Sequence, residues 1–269
     1  EIAQCLVGSE MCIRDSDGPL RAPVQAVYGW IPQRKMAVIE MASASGLPLI
    51  PWKEGNVMHT TSYGTGQLIA DALQRGCKHI LLGIGGSATN DAGVGMLQAL
   101  GFRFLNKEGE EIGDGGSYLS QITRVDVSQI LPQLKTCIID VATDVKNPFY
   151  GENGAACIFA PQKGANQKQV QQLDQGLRSF AQLIQDEMGL DIQSVAGAGA
   201  AGGLGGGCVA FLNARLISGI DQVKACVNFD SIIQDADLII TGEGKVDQQT
   251  SQGKVVDGIV KSARSYQIP

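Results

Sequence analysis

The chain has 269 residues, 44% of them hydrophobic and 5% aromatic, with a formal net charge of −6; it can fill a sizeable core but carries no field that would attract nucleic acid. Its longest apolar runs, residues 80–84 and 238–240, fall far short of the ~20 residues that a membrane-spanning helix needs. Seven cysteines and two histidines without metal-ligand spacing argue against a disulfide framework or a zinc site and make Cys77, Cys137, Cys157, Cys208 and Cys226 small buried hydrophobes in a reducing, cytoplasmic compartment.

Residues 1–16 show neither a helical period nor the blocks of a signal peptide, and are read as a leader foreign to the fold that contributes nothing to folding. From Asp17 the extended runs at 24–28 and 36–41 predict an antiparallel pair. A helix is expected over 60–73, stopped by Gly76, followed by a buried strand at 78–84 that runs into a glycine-rich turn. A second helix is predicted over 90–100 with Gly101 as its stop signal, then a strand at 102–105 entering a polar turn at 106–109, and another strand at 136–142.

The clearest amphipathic pattern spans 167–188, where Val170, Leu173, Leu177, Phe180 and Ile184 recur at three- and four-residue steps and predict a core-facing helix. A tract of almost pure Gly and Ala follows at 196–207, then a mixed helix, a buried strand at 237–241 and a last helix over 253–266. Strands alternating with helices in this way predict an α/β protein with parallel sheet.

The turn GIGGSATND (83–91) between a strand and a helix is the arrangement in which free backbone N–H groups face an anion. Gly85 and Gly86 let a ligand approach the backbone, while Ser87, Thr89 and Asn90 either bind its oxygens or cap the helix. The same stretch fits a dinucleotide fingerprint loosely, Gly83-x-Gly85-x-x-Ala88 with Glu108 downstream, which keeps an NAD-dependent dehydrogenase of a small hydroxy acid as an alternative. Against it, Glu108 falls in a turn of hairpin type. No Walker A loop is present around Gly244-Lys245 or Gly253-Lys254, so an ATP site must be built differently.

Past the predicted strand at 237–241, Glu243 and Asp247 place two carboxylates where α/β sheets bind ligands and where Mg²⁺ or a proton could be received; an exposed polar loop explains them equally well. Asp144 follows a strand, and Lys163 precedes the amphipathic helix. Both suit acid–base or phosphate work, and both are also ordinary turn positions. The Gly/Ala tract either forms anion-binding nests or allows close backbone packing.

Seven blocks in order resemble the glycerate kinase family of bacterial type: IEMASASGL (39–47), TSYGTG (61–66), GIGGSATND (83–91), DVKNP (144–148), PQKG (161–164), GAGAAGG (197–203) and ITGEGKVD (240–247). The resemblance covers the chain from Asp17 onward and implies ATP, Mg²⁺ and D-glycerate as ligands, with 2-phosphoglycerate as product. It implies an α/β enzyme of two domains, one flavodoxin-like (Rossmann-like) and one smaller, each incomplete or discontinuous here. The smaller is expected at 17–60 and 102–195, the flavodoxin-like part at 61–101 and 196–269.

Roles follow from the same resemblance. Gly85, Gly86, Ser87, Thr89 and Asn90, with Glu40 and Ser45, are expected to bind substrate or phosphate. Lys163 would counter the developing charge, Asp91 or Asp144 would accept the hydroxyl proton, and Glu243 and Asp247 would hold Mg²⁺. Two blocks typical of the family's N-terminal part and its C-terminal sheet are absent, so the chain is expected to be a fragment with little turnover alone. A catalytically dead small-acid-binding module is the second alternative, and a homo-oligomer is compatible with all three readings.

Overall fold

The computed structural model describes residues 10–50, 57–242 and 255–269. Among these, the strands are β1 (Glu10–Asp17), β2 (Pro23–Ile31), β3 (Met36–Glu40), β4 (His79–Gly83), β5 (Arg103–Leu105), β6 (Arg124–Asp126), β7 (Ile138–Ala142) and β8 (Arg215–Ile217). The helices are α1 (Ala42–Ser45), α2 (Tyr63–Gln74), α3 (Val94–Ala99), α4 (Ala155–Phe159), α5 (Gln167–Met188), α6 (Leu204–Leu212), α7 (Gly219–Cys226), α8 (Phe229–Ile232) and α9 (Val255–Ser265).

A six-stranded sheet has the order β1-β2-β3-β4-β7-β8, and β5 and β6 form a separate two-stranded ribbon. The pairs β1–β2 and β2–β3 are antiparallel, whereas β3, β4, β7 and β8 run parallel. Strand β3 and the centre of β4 read as continuous apolar runs and are buried on both faces, whereas β7 and β8 carry Asp140 and Arg215. Ile80, Leu82, Ile139 and Val141 join the main core with residues of α2, α3, α5 and α6. Leu81 and Val38 pack on the opposite face with Ile31 and Met36. On that second face buried Asp140 accepts from His79 Nε2 at 2.7 Å and from Arg215 Nε and Nη2 at 2.7 and 2.8 Å. Burial works to raise the Asp140 pKa, but the Arg215 guanidinium and His79 outweigh it and hold the carboxyl below its ordinary value.

The amphipathic helix falls where its period places it, as α5, with Leu173, Leu177, Phe180 and Ile184 buried. Asn166 and Gln169 close a reciprocal capping box at its start and Gly189 stops it in left-handed conformation. The antiparallel pair after Asp17 also forms as expected, as β2 and β3.

Four expectations are corrected. The part of residues 1–16 that is described, from Glu10 on, does not stand apart from the fold: Glu10–Asp17 pairs along its whole length with β2, Cys12 is buried in the main core, and Arg14 reaches Asp71 at 3.0 Å. The helix expected over 90–100 begins only at Val94, because Ala92 and Gly93 are left-handed at φ 55° and 76° and interrupt helical backbone. The buried strand expected at 237–241 is irregular, with Leu238 and Ile240 60% and 89% exposed; its backbone finds no ladder partner among the described residues, and Ile239 N–H instead donates to Pro269 O. Cys137 and Cys157 are half-buried, unlike Cys12, Cys77 and Cys208.

Strands from both of the expected domain segments, β2, β3 and β7 from one and β4 and β8 from the other, lie side by side in the one sheet. Among the described residues no helix is long and apolar enough to cross a membrane.

Candidate active site at the C-terminal ends of the parallel strands

The register aligns the last residues of the parallel strands: Glu40 pairs with Gly83, Gly83 with Ala142, and Ala142 with Ile217. The chain leaves the sheet at this edge four times, and open α/β sheets bind ligands where strands end this way. A cleft of about 720 Å³ opens there, and its charged lining residues are Glu40, Asp144 and Lys163.

The glycine turn forms the floor of the cleft. Met41 N–H donates to Gly83 O, Leu47 N–H to Gly86 O and Ala88 N–H to Ser45 O, each at 2.9 Å, so the segment after β3 holds the turn in place. The N–H groups of Gly85, Gly86 and Ser87 have no acceptor among the described residues. A Cβ added at Gly85 would meet nothing within 4 Å, and Gly86 has φ +71°. Three successive residues of the cleft lining thus carry amides without an acceptor among the described residues, the composition of an anion-binding nest.

Behind the turn, Lys163 is 5% exposed and its Nζ donates to Ser87 Oγ at 2.8 Å and to Thr89 O at 2.6 Å. Burial pulls its pKa down from the ordinary lysine value to about 7, and the Asp91 carboxylate pushes back. Two of its three donors are satisfied by protein, which leaves one for a ligand in the cleft. On the opposite wall Asp144 Oδ1 accepts from Gly219 N–H at 2.9 Å, at the start of α7. A smaller cavity of about 280 Å³ adjoins beyond Asp144, lined also by Lys146, Ser218, Asp257 and Lys261.

The structure therefore brings together Glu40, Gly85, Gly86, Ser87, Asp144 and Lys163 around one cleft. Thr89 and Asn90 lie directly behind it, fully buried. The hydroxyl of Thr89 and both amide atoms of Asn90 have no hydrogen-bond partner among the described residues. A capping role for Asn90 is excluded, since α3 has Gly93 as its N-cap and no side-chain cap bond. Ser45 is fully buried and bonded to Thr65 Oγ1 at 2.8 Å, away from the cleft lining.

Asp91, expected as an alternative proton acceptor, is enclosed within the protein. Its carboxylate accepts from Ser62 N–H and Ser62 O–H at 2.8 Å each, from Gly93 N–H at 3.1 Å and from Gly95 N–H at 3.3 Å. It does not line the cleft. Glu243 and Asp247, the expected Mg²⁺ ligands, lie outside the described residues. Among the described residues no group of three His, Cys, Asp or Glu side chains is arranged to hold a metal ion.

Sequence reasoning missed several parts. Phe159, Gln162, Ile220 and Val223 supply much of the remaining wall, and only their place next to motifs hinted at this. Ser62 and Thr65 of the TSYGTG block act as supports, bonded to Asp91 and Ser45. The Gly/Ala tract follows the close-packing alternative at Gly202, where an added Cβ would overlap the Thr89 carbonyl and Asn90 Cα. Ala200 and Ala201 of the same tract line the cleft.

The dinucleotide pattern does not take its expected form. The turn after β4 does not open a helix directly, since α3 starts at Val94. Glu108 is an exposed residue in a turn whose amides at Glu108 and Glu110 are bound by Asn106 Oδ1.

The sequence profile described as the glycerate kinase family matches residues 2–269, so the family match extends into the segment expected to be foreign. The chain is 48% identical over 268 residues to a glycerate kinase of Halalkalibacterium halodurans, covering 100% of this chain and 70% of that protein. It is 47% identical over 252 residues to the glycerate 2-kinase of Escherichia coli K12, covering 94% of this chain and 66% of that protein. A crystal structure ascribed to glycerate kinase 2 of Salmonella typhimurium LT2 superposes with a TM-score of 0.88 at 43% identity, covering 97% of this chain and 70% of that one. The chain thus spans between 66% and 70% of the length of these relatives.

Proposed function

The chain belongs to the glycerate kinase family, phosphotransferases with an alcohol group as acceptor, and from that premise we propose that its cleft takes ATP and D-glycerate and serves transfer of the γ-phosphoryl group to yield 2-phosphoglycerate. The position of the transfer follows the name of the Escherichia coli relative. The observation that carries the reading is the row of unaccepted N–H groups at Gly85, Gly86 and Ser87 with the Lys163 ammonium behind it. Phosphoryl transfer asks a protein mainly for positioning and charge neutralisation, and these groups supply both.

The open space beside Gly85 fits an anionic group, a phosphate of ATP or the carboxylate of glycerate. Lys163 offsets the negative charge that accumulates on the transferring group. Asp144, on the cleft wall with one oxygen held by Gly219 N–H, accepts the proton of the attacking hydroxyl. Thr89 and Asn90 lie behind the lining and would reach ligand oxygens through a shift of the turn on binding; a buried polar group left without a partner costs about 1–3 kcal/mol, and such a contact would offset that cost for three atoms that lack a partner among the described residues. Glu40 takes part in substrate binding from the end of β3, while Ser45 supports the turn from behind. Glu243 and Asp247 are the proposed protein ligands that would hold Mg²⁺, which would supply neutralisation of phosphate charge. The two-domain arrangement and a cytoplasmic location belong to the same proposal.

The test is equilibrium binding by calorimetry together with turnover of ATP in the full-length protein. D-glycerate should be required for ADP release, and Asn90→Ala should weaken ligand binding by about tenfold or more, the size of one lost hydrogen bond to a charged group. Binding of NAD with reduction by a hydroxy acid, and indifference to ATP, would overturn the reading.

A further inference from the structure

Asp91 has no access to the cleft, yet it is a fully buried carboxylate in the middle of the glycine-turn block. Its four donors come from three places: the N–H and O–H of Ser62, immediately before α2; Gly93, in the left-handed break; and Gly95, in the first turn of α3. Ser62 Oγ in turn accepts from Met96 N–H at 2.9 Å. One carboxylate therefore ties the start of α2 to the segment that descends from the turn.

The hydrogen bonds also define its ionisation. All four partners donate, and a carboxylate is an acceptor only. A proton on Asp91 Oδ2 would force the Ser62 hydroxyl to accept both that proton and Met96 N–H, leaving its own hydrogen without an acceptor among the described residues. Burial drives the Asp91 pKa upward and the donors from Ser62, Gly93 and Gly95 oppose it. Burial is the larger effect and holds the pKa above the ordinary carboxylate value, while the four donors and the Met96 N–H on Ser62 Oγ fit the ionised form at neutral pH.

Two residues before Asp91, Thr89 O accepts from Lys163 Nζ, and so does Ser87 Oγ. The carboxylates that line the cleft are Glu40 and Asp144; Asp91, behind the turn, is the carboxylate that opposes the effect of burial on Lys163. We propose that Asp91 is a positioning residue: a buried anion that fixes the turn bearing Ser87 and Thr89 and supplies the counter-charge for the Lys163 ammonium, without touching substrate. This inference rests on Lys163 serving the cleft as described above.

The role differs from a purely structural one in a measurable way. With Asp91 as counter-charge, Asp91→Asn removes the field that favours the Lys163 ammonium, so Lys163 titrates at lower pH and is largely neutral at neutral pH. The limb of kcat/KM for D-glycerate that falls with deprotonation of Lys163 should then begin at lower pH in the variant. Ser62→Ala, which removes one donor and no charge, should lower the thermal midpoint while leaving the pH profile in place.

NMR titration of the labelled Lys163 ε-nitrogen in ligand-free wild type and Asp91→Asn tests the proposal separately from the kinase reading, since it needs neither ATP nor turnover. A Lys163 titration identical in the two proteins would overturn it. Should Asp91→Asn fail to fold, the carboxyl carbon of Asp91 in the wild type decides: a signal of the ionised form at neutral pH is expected, and a protonated Asp91 would overturn the proposal. Absence of glycerate-dependent turnover with the Lys163 shift intact would instead overturn the kinase reading and leave the counter-charge in place.

Discussion

Burying the Lys163 ammonium costs the fold stability, and the cost has a pH signature. The unfolded chain holds the proton up to the ordinary lysine value of 10.5, whereas the folded protein releases it near 7. Below 7 both states are protonated and the full penalty applies. As pH rises from 7 towards 10.5 the unfolded state binds more protons than the folded one, so folding stability increases, by up to about 1.4 kcal/mol per pH unit. Lys163→Met removes this dependence. In ligand-free protein the Met variant should be more favoured relative to wild type at about pH 7 than at about pH 9, even after about 1–3 kcal/mol is lost because the Thr89 carbonyl has no donor. Urea unfolding of both proteins at the two pH values checks this, and parallel curves would mean that Lys163 is not held in a desolvated site. Activity should be lost at both. Such a lysine fits a binding group kept at the expense of stability.

Strand β1 shows how an element can be invisible to periodicity and still be built into the sheet. Its exposed side chains, Met11 at 56% and Ile13 at 64%, share the strand with buried Cys12 and Ser16, so the buried positions are too few to form a clear alternating pattern. The register with β2 runs from Glu10↔Trp30 to Asp17↔Pro23. Arg14 adds an ion pair to Asp71, a carboxylate that also accepts from Tyr28 Oη at 2.5 Å and from Arg75 Nε at 2.8 Å. Burial opposes these contacts, but Tyr28 and Arg75 hold Asp71 below its ordinary pKa. Deleting residues 10–16 uncovers the edge of β2 and opens the core beside Cys12. Loss of well over 1 kcal/mol is expected, and with it a fall of at least several degrees in the thermal midpoint. An unchanged midpoint would show the strand to be a passenger. The segment at 237–241 is the opposite case: its composition reads as a buried strand, yet ladder hydrogen bonds need a neighbour, and among the described residues it has none.

Taken together, the molecule places its free donors, its buried cation and its cleft carboxylates at one edge of a parallel sheet, so ligands that fit should stabilise the fold by mass action. Mg²⁺ with ATP, or D-glycerate, at about 100 times its dissociation constant should raise stability by about 2.7 kcal/mol, whereas NAD should have no effect. Thermal melts with each ligand alone and after chelation of Mg²⁺ check this; a shift with NAD and none with ATP would reassign the cleft.

The amino-acid sequence by itself determined the α/β class, the helix α5, the antiparallel pair after Asp17 and the glycine turn as the candidate anion site. These depend on local terms: side-chain period, capping chemistry and glycine's access to left-handed backbone. It also held the family blocks that named Ser87, Asp144 and Lys163 together. Only the tertiary structure decided that Asp144 and Lys163 share a cleft while Asp91 lies behind it, that Asn90 is a buried amide that caps no helix and has no partner among the described residues, and that Ser62 and Thr65 are supports. Short polar residues in one turn look alike in sequence, because cap, scaffold and ligand contact use the same side chains. What separates them is which neighbour, tens of residues away, supplies the donor: Ser62 takes Asp91 out of the cleft, and Lys163 keeps Ser87 in it.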